Sequence, residues 1–407
     1  MNIKKTIVLT GAGAAIPWGA PTTKKITDTL LLDLTFRSYT GQSIGSWLHH
    51  KLIGLYHRDP ATVNFETIIN ALEYLITFYS SKERSSIARF KNVMPAFFEE
   101  KDYLEEILSF NKIYDIDNDN WYSNNDNDKF ISSWNENDDF FVNVLRRFIH
   151  IIICQIEIYS KELLNKVDLN RSLNDFLSSI NNPLRCYTTN YDRLIPKVFT
   201  GDMFEGFSDN NGSLKFDLKK VLNDETSNIY YNMHGSVHYK YDKPNNVKLV
   251  IDDYEYNFNK GINNDKDKMN RHNSNIITGF NKSSKILTNP YSHFYLRFSL
   301  DCLNADKIYI IGYSFSDFHI NNAIKTALLA NSKLKILCVT YMMDNNIQGI
   351  ENQNEWIVYD RKGKKFLTED FKRNIEDEIM DKSISNRIFV YRYGFEQFLN
   401  NKQWLKY

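Results

Sequence analysis

Short apolar runs rich in β-branched residues recur at residues 6–10, 184–189, 229–233, 307–311, 334–340 and 387–393. The first reads Thr-Ile-Val-Leu-Thr and leads directly into Gly11. Such continuous runs fit strands covered on both faces, as in a parallel sheet. Helical-length segments, such as 321–330 after the fourth run, lie between several of them. Strands alternating with helices predict an α/β fold with a Rossmann-like, mostly parallel sheet.

The interval between the first two runs breaks that rhythm. There the apolar residues recur at helical spacing, as in Phe65, Ile68, Ile69, Leu72, Leu75 and Ile76, and in Val144, Leu145, Phe148, Ile149 and Ile152. The chain therefore reads as one domain in two parts: residues 1–23 plus 181–407 form the Rossmann-like part, and residues 24–180 an inserted helical subdomain. Within the insert, residues 115–139 are dominated by Asn and Asp and predict a long exposed loop docked by Trp121 and Trp134. Residues 241–285 read as polar surface excursions, and 360–365 as a solvated turn. Aromatic residues between 389 and 398 fit the packing of a C-terminal strand and helix.

The composition sharpens this picture. A hydrophobic content of 42% supports a substantial core. Fifty basic against fifty acidic residues give no net charge, which argues against direct binding of nucleic acid or an acidic membrane through bulk electrostatics. The longest apolar stretches, such as 149–154, are too short to span a bilayer. Cys154, Cys186, Cys302 and Cys338 form no C-x-x-C pair, so neither a zinc ribbon nor a disulfide framework is indicated. Reduced thiols and the lack of a signal-peptide pattern predict a cytoplasmic protein. His49, His50 and His57 lack supporting Cys or carboxylate spacing, so they read as a surface helix and no metal site is expected.

Four chemically suggestive segments each follow an apolar run. Gly11-Ala12-Gly13-Ala14, continuing to Pro21, suits either backbone N–H groups approaching a pyrophosphate or a plain tight turn. Ile16 stands where a dinucleotide fingerprint has its third glycine, which disfavours an ordinary NAD dehydrogenase. Thr189-Asn190-Tyr191-Asp192 offers Asn190 for ribose hydroxyls or a water and Asp192 for an amide, or simply a turn capping the next helix. His234 is either a general base or a hydrogen-bonded structural histidine. Gly312 and Ser314 suit a ribose or phosphate, and Asp317 the cap of the following helix; a turn without ligand would look the same. In a doubly wound sheet all four segments converge on one crevice.

The order and spacing of these segments resemble the sirtuin family. That family begins with Gly-Ala-Gly-Ile-Ser, three free positions, then Gly-Ile-Pro-Asp-Phe-Arg; here Gly11, Ala12, Gly13, Gly19 and Pro21 fall in register. Thr189-Asn190-Tyr191-Asp192 is similar to its Gln-Asn-Ile-Asp element, His234-Gly235 to its catalytic His-Gly, and Gly312-Tyr313-Ser314 to its Gly-Thr-Ser. The resemblance implies NAD+ as substrate, with Gly11, Ala12, Gly13, Ala14, Pro21, Thr189, Gly312 and Ser314 binding it and Asn190, His234 and Asp192 acting in catalysis.

The departures from the family pattern refine that expectation. The two zinc-binding C-x-x-C pairs of sirtuin deacetylases are absent, so no zinc is expected. Ala15 replaces a serine, and Thr22, Thr23 and Lys24 stand where Asp-Phe-Arg is expected. These changes favour hydrolysis of NAD+ to nicotinamide and ADP-ribose over acyl-lysine chemistry. The helical insert and Asn64-Phe65-Glu66 look like bacterial sirtuin-like effectors that deplete NAD+ in anti-phage abortive infection. The resemblance implies a homo-oligomer and a separately encoded regulator, such as a HerA-type ATPase that translocates DNA. The alternative expectations are a module sensing NAD+ or ADP-ribose and a nuclease subunit of a DNA-translocase complex.

Overall fold

The computed structural model describes residues 5–37, 41–56, 60, 63–80, 114–115, 120–121, 134–180, 183–243, 246–251, 276–278, 282–341, 355–359, 365–372, 380–383 and 386–406. Six strands form the parallel body of the main sheet: β1 (Lys5–Thr10), β2 (Leu184–Thr188), β3 (Ile229–Asn232), β4 (Ala305–Ile311), β5 (Lys335–Val339) and, last in the chain, β9 (Ile388–Tyr391). Their order across the sheet is β3-β2-β1-β4-β5-β9. The chain winds outward from β1 in one direction, then crosses back and winds outward in the other. This is the doubly wound order, and its reversal lies between β1 and β4. The α/β, Rossmann-like expectation is met, and each of the six apolar runs falls on one of these strands.

The alternation of side chains along the strands explains why both faces are covered. Ile7 and Leu9 of β1, Ile308 and Ile310 of β4, and Ile336 and Cys338 of β5 enter one core. Val8, Tyr309, Ile311, Leu337 and Val339, between or beside them, enter the other. The first core is closed by Phe294 and Phe298 of α6 (Tyr291–Leu303) and Ile320 and Ile324 of α7 (Phe318–Ala330).

The second core takes its helices mainly from the interval between β1 and β2: α1 (Thr23–Leu32), α2 (Ile44–Tyr56), α3 (Phe65–Ser80), α4 (Trp134–Glu162) and α5 (Val167–Ser178). Leu30, Trp47, Ile68, Phe148 and Phe176 are their buried representatives, joined by Phe398 of α8 (Gly394–Asn400). Burying one such side chain contributes about 1.5–3 kcal/mol, which is why helices of ordinary propensity hold here.

A charged cluster is buried at the amino end of the sheet. Asp301 of α6 accepts hydrogen bonds from Arg185 Nε at 2.8 Å, Arg297 at 2.9 Å, Lys5 Nζ at 3.0 Å and the Tyr187 hydroxyl at 2.6 Å. Arg185 also donates to the carbonyls of Ser227 and Asp224, and Arg297 to that of Leu222. Each charged group thus has a counter-charge and hydrogen bonds, with Arg297 Nε alone in the cluster left without a hydrogen-bond partner.

Several expectations need correction. Three antiparallel strands extend the sheet beyond β9: β6 (Glu355–Tyr359), β7 (Lys365–Lys372) and β8 (Met380–Ser383). Mixed charge hid β7 and β8, whereas β6, Glu-Trp-Ile-Val-Tyr, is an apolar run that sequence reasoning missed. The expected turn at 360–365 lies outside the described residues except for Lys365, which opens β7. Residues 241–285 are only partly surface. Tyr239–Lys243 and Asn246–Leu249 form a hairpin, while Ile276, Ile277 and Thr278 are buried. Trp134 opens α4, so the expected loop at 115–139 ends earlier than read; most of it, Trp121's side chain included, lies outside the described residues.

Candidate active site

The carboxyl ends of the parallel strands are laced together by the first residue of each loop. Met233 N–H donates to Thr188 O, Thr189 N–H to Thr10 O, Gly11 N–H to Ile311 O and Gly312 N–H to Val339 O, all at 2.9–3.0 Å. Parallel pairing thus continues one residue past each strand, and the four loops are held side by side. They open onto one cavity of about 370 Å³ at the point where the winding reverses.

Gly11, Ala12, Gly13, Pro21, Thr189, Asn190, Asp192, His234, Gly312 and Ser314 all line this cavity. Of the residues expected to meet a ligand, only Ala14 does not; it is buried in the core behind the turn. Sequence reasoning did not foresee Lys282 as a wall, and Phe65 and Ile156 bring α3 and α4 to the same space. Thr22, Thr23 and Lys24 also line it, so the departure from Asp-Phe-Arg sits at the site itself.

Gly11 and Gly13 have a structural duty that spacing alone did not show. A Cβ on Gly11 would lie 2.7 Å from Gly312 O, and one on Gly13 would lie 2.8 Å from Gly312 Cα. Gly312 has φ +59°, and a Cβ there would meet Ala14 N at 2.1 Å. The two loops touch backbone to backbone, which only glycine permits. Gly11, Gly13 and Ala14 donate their N–H groups to Ile311 O, Gly312 O and Gly11 O. Ala12 is left exposed at the first turn of the short helix Ala12–Ala15, where N–H groups have no intrahelical acceptor.

The segment after β2 separates two roles. Asn232 Nδ2 donates to the carbonyls of both Asn190 and Asp192, which fixes the turn. The Asn190 carboxamide makes no hydrogen bond to a described residue and remains available on the cavity wall. Asp192 is nearly fully buried, and its Oδ1 accepts from Leu194 N–H at 2.9 Å at the start of the helix Leu194–Val198. Burial raises its carboxyl above the usual range, against that hydrogen bond. The capping alternative foreseen for Asp192 is therefore present in the structure.

His234 follows β3, and Gly235 takes φ +87° to turn the chain behind it. The His234 carbonyl accepts from Ile277 N–H at 2.6 Å, so the buried strip around Ile277 braces the histidine. Its Nε2 lies 2.9 Å from Asp317 Oδ2 and 3.0 Å from the Tyr295 hydroxyl, which itself donates to Asp317 Oδ2 at 3.1 Å. Asp317 caps α7 as expected, its Oδ1 accepting from His319 and Ile320 N–H. Its contact with His234, across 83 residues, and the part played by Tyr295 had no signature in the sequence.

The electrostatics of the pair are set by burial and by Lys282. Burial lowers the His234 pKa first, and Lys282 lowers it further, against the opposing pull of Asp317. Burial would raise Asp317, but the hydrogen bond and charge of His234, with Lys282 at 3.6 Å, hold it far below the usual carboxylate range. The arrangement is a neutral imidazole resting on an ionised carboxylate, a pattern suited to accepting a proton.

Among the described residues, no group of three or more His, Cys, Asp or Glu side chains is placed to hold a metal ion. Among them, too, no helix is long and apolar enough to cross a membrane. A comparison with curated proteins finds no match. Residues 185–359 match the family model of the SIR2-like domain, a stretch that holds Asn190, Asp192, His234, Gly312, Ser314 and Asp317. The order of the parallel strands agrees with this match, by which residues 185–359 are similar to a SIR2-like domain.

Proposed function

We propose that the chain is an NAD+ glycohydrolase, an N-glycosidic hydrolase that releases nicotinamide and ADP-ribose. A SIR2-like domain suggests NAD-related activity in general. The observation that carries the finer reading is the meeting, in one cavity, of the glycine loops, the uncommitted Asn190 carboxamide and the buried His234 imidazole.

The reaction breaks the bond between the ribose C1′ and the pyridinium nitrogen through an oxocarbenium-like state. The bonding electron pair neutralises the ring nitrogen, so nicotinamide leaves without acid help. The protein must then hold the sugar and present a water in line. Gly11–Gly13, Gly312 and Ser314 would lie along the phosphates and ribose, and Asn190 would hold the ribose hydroxyls and the water. His234 would accept the proton of the water as its oxygen bonds to C1′, and later release that proton to solvent. Asp192, committed to Leu194, would serve by fixing the loop.

The purified chain incubated with NAD+ should release nicotinamide, and His234→Ala and Asn190→Ala should each lower the rate about 10²–10⁴-fold. Equal rates in the parent and both variants would overturn the assignment. Tight ADP-ribose binding with no nicotinamide release would favour a sensing module instead. We further propose that the activity serves anti-phage defence in the cytoplasm, as an NAD-depleting effector restrained by self-association or by a separately encoded partner such as a HerA-type translocase. Leu296, Leu300 and Phe318 lie exposed on α6 and α7, supplying apolar area that an assembly would cover.

A further inference from the structure

We propose that Asp317 and Tyr295 are positioning residues for His234, fixing its proton on Nε2 and leaving Nδ1 as the nitrogen that accepts a proton in the cavity. The argument rests on which atoms can donate. An ionised carboxylate only accepts, so at 2.9 Å from Asp317 Oδ2 the Nε2 atom must carry the hydrogen. The same Oδ2 also receives the Tyr295 hydroxyl hydrogen, so the Tyr295 oxygen presents a lone pair to Nε2–H at 3.0 Å. Each hydrogen in this triangle has one assignment that satisfies every partner. Nδ1 is then unprotonated, and it makes no hydrogen bond to a described residue.

The triangle is itself held rigidly. The second oxygen of Asp317 is occupied by the first turn of α7. The Asp317 N–H donates to the Tyr313 hydroxyl, whose own hydrogen is shared between Asp317 O and Asn321 Oδ1. Tyr295 lies nearly parallel to the imidazole, with ring centroids 6.5 Å apart and an interplanar angle of 21°. When Nδ1 takes a proton, the imidazolium is stabilised by the Asp317 carboxylate, while Lys282 opposes it and Glu66 favours it. Tyr191 and Tyr313 are further titratable groups beside the triangle, and the His319 ring stands edge-on to Tyr295 with centroids 6.2 Å apart.

This inference deepens the glycohydrolase reading and rests on it only for its kinetic arm. Asp317→Asn keeps an acceptor for the α7 cap but turns an N–H₂ donor toward Nε2, which should move the imidazole proton to Nδ1. Nitrogen-15 NMR of the histidine rings in the full chain reads this tautomer directly. The expected result is an Nε2–H tautomer in the parent and Nδ1–H in Asp317→Asn. With NAD+, kcat should fall about 10²–10⁴-fold while KM stays within about threefold. Tyr295→Phe should keep the tautomer and lose about tenfold in kcat, the scale of one hydrogen bond to a charged group.

An Nδ1–H tautomer in the parent would overturn the proposal, as would an unchanged tautomer and kcat in Asp317→Asn. If the variant does not fold, the parent spectrum alone decides. If the parent shows the Nε2–H tautomer but releases no nicotinamide, the positioning of His234 stands and the glycohydrolase reading falls.

Discussion

Asp317 serves His234 with one carboxylate oxygen and the amino end of α7 with the other. The histidine's carboxylate partner and a helix cap are thus the same side chain. Both Asp317→Ala and Asp317→Asn give up the carboxylate's charge beside His234, but Asp317→Ala should lose about 0.5–2 kcal/mol more, the share of the cap. Urea unfolding of the two variants checks this; equal stability would mean that the cap contributes nothing.

Asn190 and Asp192 stand two residues apart yet should fail in different ways. Asn190→Ala removes a carboxamide with no partner among the described residues, so its melting temperature should stay within about 2 °C while nicotinamide release collapses. Asp192→Ala leaves Leu194 N–H without its acceptor in a buried setting and should cost about 1–3 kcal/mol. Thermal melts beside turnover assays separate the two; a stable, inactive Asp192→Ala would instead place its carboxyl at the substrate.

The acid limb of the rate profile should lie lower than an ordinary histidine would give. Protonating His234 removes the lone pair that accepts the proton, and its pKa is lowered by burial and by Lys282. The neutral form thus persists below pH about 6.5, and the rate should hold past that point before falling. Lys282→Met removes a charge that disfavours the imidazolium, so the limb should move to higher pH. A limb above about 7 in the parent, or a downward shift in Lys282→Met, would contradict this.

Gly312→Ala should be among the most damaging single-methyl changes in the chain. The new Cβ would strike Ala14 N and Gly13 C at 2.1 and 2.3 Å, at a φ of +59°. Gly19→Ala is the control: φ is +94°, but nothing lies within 4 Å, so only the backbone term of about 1–2 kcal/mol applies. Soluble yield and melting temperature should separate the two widely, with Gly312→Ala failing to give native protein.

At the other end of the sheet, Asp301→Asn would leave Arg185 buried without its counter-charge, while Lys5 and Arg297 would keep only the half-exposed Glu225. A loss of about 3–5 kcal/mol is expected in denaturant unfolding. Nicotinamide release per folded molecule should be unchanged, since the network lies at the opposite ends of the strands from the cavity.

The parallel core was legible because buried strands must be apolar on both faces, and runs such as Thr-Ile-Val-Leu-Thr have few other uses. β7 escaped because a sequence such as Lys-Phe-Leu-Thr-Glu-Asp-Phe-Lys reads as surface. Ile276–Thr278 escaped because three buried residues among polar neighbours make no periodic signal. The loops of the site were legible as motifs, since each directly follows a strand. The triangle of His234, Tyr295 and Asp317 was not, because it joins three separate segments and only the fold brings them together. Tyr295 in particular looks like any core aromatic of α6 until its hydroxyl is seen.

The contact between Gly312 and the turn at Gly11–Gly13 also bears on what descent can erase. Those glycines are held by the neighbouring backbone, so selection for folding alone would preserve them after any loss of turnover. Asn190, with no structural partner among the described residues, enjoys no such protection. In a lineage that had abandoned the chemistry, the glycines would persist as a record of ancestry, and Asn190 would be among the first positions to drift.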